Sequence, residues 1–228
     1  MTNVIGRSAL FVAALAAMSG GNVFQALAQG ARIGEAASIQ NQVSRVRGQA
    51  GQSISIGDAV FRNETIATAA ASSARLTFLD QTNLAIGPSS RVVLNRFVYS
   101  GNASAQALTV NLARGAFRFS TGALDKRAYR IETPVATIGV RGTVLDIRSE
   151  QGRTTVTLVD NGQARACTRS GRQCAELLQP GDSVVIDSAG ARRTSARFSF
   201  AQFCAGNASL CGSGATQLAQ SVDALCGR

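Results

Sequence analysis

The chain contains no histidine and no tryptophan, and its 228 residues include only three prolines, two tyrosines and a single lysine, Lys126. The missing histidine removes the usual general base of serine and cysteine nucleophiles, and with it the commonest zinc and haem ligand. Only 16% of residues are charged while 45% are hydrophobic, which does not describe a disordered chain. The 23 glycines follow no three-residue period, so collagen is excluded as well. A soluble globular fold of about one domain is expected.

The N-terminus reads as an address. Arg7 precedes an unbroken apolar run, Ala9 to Met18, which is too short for a bilayer-spanning helix of about 20 residues. It fits the h-region of a secretory leader, which needs about 7 to 15. Gly20 and Gly21 end the run, and Ala26-Leu27-Ala28 supplies small residues, so cleavage is expected after Ala28. The mature chain is then expected in the periplasm or outside the cell, with no membrane span. Losing Arg7 takes the formal charge from +10 to +9. An exported cation meets anionic lipid, acidic polysaccharide or acidic protein, through contacts that salt weakens. The bases are interleaved with acids and form no aromatic-flanked stripe, so nucleic acid is not expected as a partner.

All five cysteines lie late in the chain: Cys167, Cys174, Cys204, Cys211 and Cys226. In an exported protein such usage reads as disulfides. Cys167/Cys174 and Cys204/Cys211 share one Cys-x6-Cys spacing and are the candidate pairs, although other pairings are open; Cys226 is left as a free or intermolecular thiol. Without histidine or a Cys-x2-Cys pair, no metal or other cofactor is expected.

From Ser38 to Asp187 apolar residues alternate with polar ones. Ala74, Leu76 and Phe78 share one side of a run, and Leu145 with Ile147 and Val156 with Leu158 repeat the pattern. Period two means half-buried strands. Turn dipeptides separate them: Gly57-Asp58, Gly87-Pro88, Asn161-Gly162 and Pro180-Gly181. An all-β fold of many short strands follows, as a sandwich, a jelly roll or a short β-solenoid. Residues 1–28 are the leader, 29–37 a loose lead-in, 38–190 the all-β domain, and 191–228 a Cys-rich tail. Leu218, Val222 and Leu225 predict a short helix in that tail.

Three stretches resemble the FecR domain of bacterial envelope regulators. They run from Gly57 through Ser73-Ala74-Arg75-Leu76-Thr77-Phe78 to Ser90, from Thr133-Pro134 through Gly139-Val140-Arg141-Gly142-Thr143, and from Val159-Asp160-Asn161-Gly162 to Pro180-Gly181-Asp182. Together they span about residues 43–187. Asp80-Gln81-Thr82 stands where the family usually has an Asp-Gly-Ser turn. The resemblance implies a recognition module without catalytic residues. In complete regulators of the family, a cytoplasmic segment and one membrane helix accompany it; neither is expected here, so a sigma-regulator role is not carried over. Within the central motif, Thr133-Pro134 is an extended entry, and Gly139 and Gly142 allow close backbone approach or positive φ around Arg141. Arg141 either meets an acidic partner or, the preferred reading, bonds carbonyls or an internal acid such as Asp146 or Asp160.

The expected function is non-enzymatic binding of an envelope protein or anionic polysaccharide. The alternatives are a self-associating structural component and an accessory part of a cell-surface signalling system. An enzyme would have to use a carboxylate pair drawn from Asp80, Asp146, Glu150 and Asp160, all of which lie at strand ends or turns where solvated acids are ordinary. The sequons at Asn102 and Asn207 are read as chance occurrences.

Overall fold

A computed structural model of the chain describes residues 30–47, 50–98 and 107–205. The expected leader and its cleavage after Ala28, the helix over Leu218 to Leu225, Cys211 and Cys226 lie outside the described residues. Those described contain seventeen strands and one short helix, all strands joined in one hydrogen-bonded network.

The strands are short because Gly, Asn, Asp and Pro interrupt the apolar alternation every few residues, and the interruptions decide the layers. One sheet runs β4 (Ala59–Phe61), β1 (Arg32–Gln40), β6 (Ser73–Phe78), β7 (Asn83–Ile86), the second half of β9 (Ala107–Ser120), β12 (Val144–Glu150), β13 (Arg153–Leu158), β16 (Ser183–Asp187) and β17 (Gly190–Arg193). The other runs β3 (Ala50–Ser53), β2 (Val43–Arg47), β5 (Thr65–Thr68), β8 (Arg91–Val98), the first half of β9, β10 (Tyr129–Glu132), β11 (Ala136–Arg141), β14 (Gln163–Thr168) and β15 (Cys174–Leu177). Among the described strands only β9 and β10 pair in parallel. From β10 onward the chain lays antiparallel hairpins in alternate layers, each pairing with the hairpin before the last. The result is a sandwich assembled with the regularity of a solenoid.

β9 belongs to both layers, and its burial pattern shows how. Leu108, Val110 and Leu112 face the core from the first half, Phe117 and Phe119 from the second, so the inward set passes from even to odd numbers. A strand that leaves one layer for the facing one must invert its inner side, and a one-residue change of phase does this. The change falls at Gly115, with φ +119°, where a Cβ would collide with Ser90.

The expected inward residues form one core shared by the two layers; Leu76, Leu84, Ile86, Leu145, Ile147 and Val156 are all fully buried. Each such side chain stabilises the fold by about 1.5–3 kcal/mol. Both ends of the stack are closed by an arginine bonding across layers. Arg45 donates to the Ala59 carbonyl (3.1 Å) and pairs with Glu64 (3.0 Å). Arg193 donates to the Glu176 carbonyl (2.8 Å) and to Asp182 (2.9 Å). Charged side chains at these short edges block further strand addition there.

One boundary differs from expectation. The loose lead-in at 29–37 is largely strand: β1 begins at Arg32 and buries Ile33 and Ala36, a pair too sparse around Gly34 to show as alternation. In the tail, a helix α1 forms at Phe200–Ala205, upstream of the helix expected over residues 215–225. Its segment lies across the outer face of the first sheet. Phe198 N donates to Thr157 Oγ1 (3.1 Å), Phe200 N donates to Asp146 Oδ2 (2.8 Å), and Phe198, Phe200 and Cys204 form a second small core with Ala116. Among the described residues no helix is long and apolar enough to cross a membrane.

Candidate functional site

The central motif builds a corner. Thr133 is buried at the β10–β11 turn, where its Oγ1 accepts from Ala136 N (2.9 Å) and shares a hydrogen bond with Thr154 Oγ1 (2.8 Å). Pro134 sits exposed at the tip of that turn. At the other end of β11 the chain turns through Gly142 (φ +64°) into the facing sheet, and Thr143 Oγ1 donates to the Asp160 carbonyl (2.7 Å). Gly162 packs so closely on this corner that a Cβ would strike the Gly142 carbonyl oxygen. Thr133, Gly142 and Thr143 are therefore scaffolding, and they hold β11 at a fixed height.

What β11 presents outward is Gly139 and Arg141. Gly139 differs from the expectation of close approach or positive φ: a Cβ built there has nothing within 4 Å. The glycine instead leaves a bare spot between Arg130 and Arg165, its neighbours across the two flanking strands. Arg141 differs too. Asp146, one of its expected partners, is taken by Arg118 in a two-pronged pair (2.7 and 2.9 Å). The Asp160 carboxylate accepts from Asn161 N (2.7 Å). Arg141 is exposed and has no ion-pair partner among the described residues.

Arg141 lines two adjoining hollows of about 270 and 520 Å³ together with Lys126 and Arg127. Lys126 and Arg127 come from the loop between β9 and β10, which is anchored beneath by a polar network. Asp80, fully buried, accepts from Thr82 Oγ1 (2.6 Å) and Tyr129 Oη (3.0 Å), while Leu124 N donates to Tyr129 Oη (2.9 Å) and Ala123 N to the Asp80 carbonyl (2.7 Å). Burial pushes the Tyr129 hydroxyl up to about 12, and the Asp80 charge adds to the effect. Gln81 takes φ +68°, so the Asp-Gln-Thr sequence still makes a left-handed turn where a glycine is usual. The acids lining the two hollows are Asp125, which caps Arg127 N (2.8 Å), and Glu176, which pairs with Arg165 (3.4 Å). Lys126, Arg127 and Arg141 have no ion-pair partner among the described residues and form an edge with a net positive charge. The turns on the same side of the stack carry three of the four large exposed apolar residues found among the described residues, Leu79, Val159 and Leu178.

Each of the four candidate catalytic acids accepts hydrogen bonds within the fold: Asp80 from Thr82 and Tyr129, Asp146 from Arg118 and Phe200 N, Glu150 from Arg148 (2.7 Å), and Asp160 from Asn161 N. Cys167 and Cys174 form a disulfide across directly paired positions of β14 and β15. Cys204 is also disulfide-bonded.

The motif order and the strand pattern agree with a comparison against protein families: residues 64–163 match FecR protein. This segment is a FecR domain. It begins in the turn before β5 and ends at the first residue of β14, narrower than the 43–187 expected, although the same pairing scheme continues through β17. No curated protein matches the chain. Among solved structures, two crystal structures of a candidate anti-sigma factor from Parabacteroides distasonis ATCC 8503, at 2.50 and 1.65 Å resolution, are each 14% identical with a TM-score of 0.45, the match covering 57% of this chain. The match spans 58% of that chain's length.

The cationic edge, the bare Gly139 spot and the apolar flanks were not predicted as a group. Arg141 and Gly139 were legible as motif members. Lys126 and Arg127 were not, because only the crossing between layers brings residues 15 positions apart to one hollow.

Proposed function

We propose that this protein is an exported, non-enzymatic binding module that recognises a protein or anionic polysaccharide of the bacterial envelope through the rim around Arg141. The observation that carries the reading is the set of three cations without an ion pair among the described residues, Lys126, Arg127 and Arg141, sharing two hollows beside the FecR motif. Within a folded surface, cations kept free of available carboxylates are groups left for something else to neutralise. The FecR match supports a recognition role, and the apolar leader supports export. Placement in a cell-surface signalling system is the finer form of this reading.

The test is capture of partners from envelope extract by the immobilised protein at low and at moderate salt. A specific partner retained by the native protein and lost with Arg141→Gln supports the proposal. Recovery of nothing specific under either condition overturns it.

A further inference from the structure

Resting on the binding reading above, we infer that the rim receives an extended peptide segment of a partner protein, acidic at its centre and apolar at its ends. The argument starts from what shares the rim. Backbone bonds fix the order of its turns: Ala123 N donates to the Asp80 carbonyl, Val159 N to the Val144 carbonyl, and Gly181 N to the Leu158 carbonyl. Leu79 consequently lies beside the loop that carries Lys126 and Arg127, while Val159 follows the Arg141 corner and Leu178 follows Val159. The positive centre is flanked on both sides by exposed leucine or valine.

This mixture chooses between the two classes of partner. An acidic polysaccharide offers carboxylates at regular intervals on a hydroxyl-rich chain and gains little from leucine or valine. A peptide supplies carboxylates and aliphatic side chains on one strand, matching charge at the centre and apolar area at the ends. The smaller hollow, about 270 Å³, has the size for one side chain, and it lies where Gly139 has removed the side chain that β11 would otherwise present. Four cations line the two hollows, Lys126, Arg127, Arg141 and Arg165, against the two acids Asp125 and Glu176, leaving an excess of two positive charges.

Gly139 also provides a clean block. Its φ is not left-handed and an added side chain meets open space, so Gly139→Val covers the bare spot and narrows the hollow without disturbing the sheet, where valine is favoured. The probe is the fluorescein-labelled peptide Leu-Ser-Asp-Glu-Asp-Ser-Val-Leu, read by fluorescence anisotropy against the purified protein, with its Asn-Gln-Asn counterpart and labelled oligogalacturonate alongside. The expected result is saturable binding of the acidic peptide that weakens with salt, falls about tenfold with Arg141→Gln and falls at least as far with Gly139→Val, at unchanged melting temperature. Equal binding of the Asn-Gln-Asn peptide, or no effect of Gly139→Val, overturns the inference. Binding of oligogalacturonate without the peptide also overturns it while leaving the broader binding reading standing. If neither probe binds and extract capture persists, the inference fails and the partner meets another surface.

Discussion

The outer faces of the two sheets carry arginines in opposite circumstances. On the first sheet the C-terminal segment covers the surface: Arg118 is bound two-pronged to Asp146, the carboxylate also receives Phe200 N, and Arg148 lies 5.9 and 5.7 Å from the ring centres of Phe198 and Phe203. On the second, around Gly139, nothing described lies over the sheet, and Arg130 and Arg141 have no carboxylate partner among the described residues. The same residue type is structural where the chain returns to cover it and available where it does not. Position relative to the tail, more than residue identity, separates scaffold from surface.

The contrast predicts an ordered series of effects. Asp146→Ala removes the carboxylate that Arg118, whose side chain is 13% exposed, grips with two bonds, and it frees the Phe200 amide. We expect a loss of about 3 kcal/mol in urea unfolding, together with increased protease cleavage in 194–205; unchanged stability would mean that the covered face is not load-sharing. Replacing Cys167 and Cys174 by serine should cost about 2.5 kcal/mol, the entropy of closing an eight-residue loop, seen as a lower unfolding midpoint in the double variant.

Tyr129 sharpens the comparison through pH. Its hydroxyl ionises at about 12 in the fold against an ordinary 10, so the unfolded chain releases this proton first. Stability from the Asp80–Tyr129 network is complete below pH 10 and declines as pH rises from 10 through 12. Tyr129→Phe should remove the late step from the 295 nm absorbance titration and lower stability at neutral pH by about 1 kcal/mol. A single step near pH 10 in the native protein would refute the network. The smallest effect belongs to the bare face: Arg141→Gln should change stability by less than about 0.5 kcal/mol, and a larger loss would show an internal role.

Alternation makes the core legible in the sequence, because each layer buries one side of every strand and a period of two records it directly. The corners were equally legible, since Gly57, Gly142, Gly162 and Gly181 all adopt the positive φ that their turn settings implied. The Cys167–Cys174 bridge is one of the pairings the sequence leaves open, the one whose spacing suits a hairpin. What stayed hidden depends on distance in the chain. Asp146 could not be assigned to Arg118, 28 residues away, nor to the Phe200 amide, 54 away, from local pattern. α1 escaped because its six residues are too few for a helical stripe; the Phe198, Phe200 and Phe203 spacing was its only sign. β1 escaped because Gly34 breaks its alternation where a Cβ would strike the Thr77 carbonyl oxygen.

The most direct measurement is hydrogen exchange on the protein alone and with a partner captured from envelope extract. The account predicts new protection in 123–130 and 136–142, around Lys126, Gly139 and Arg141, with no change in 194–205. Protection confined to 194–205 and the first sheet, with the Gly139 face exchanging as before, would contradict it.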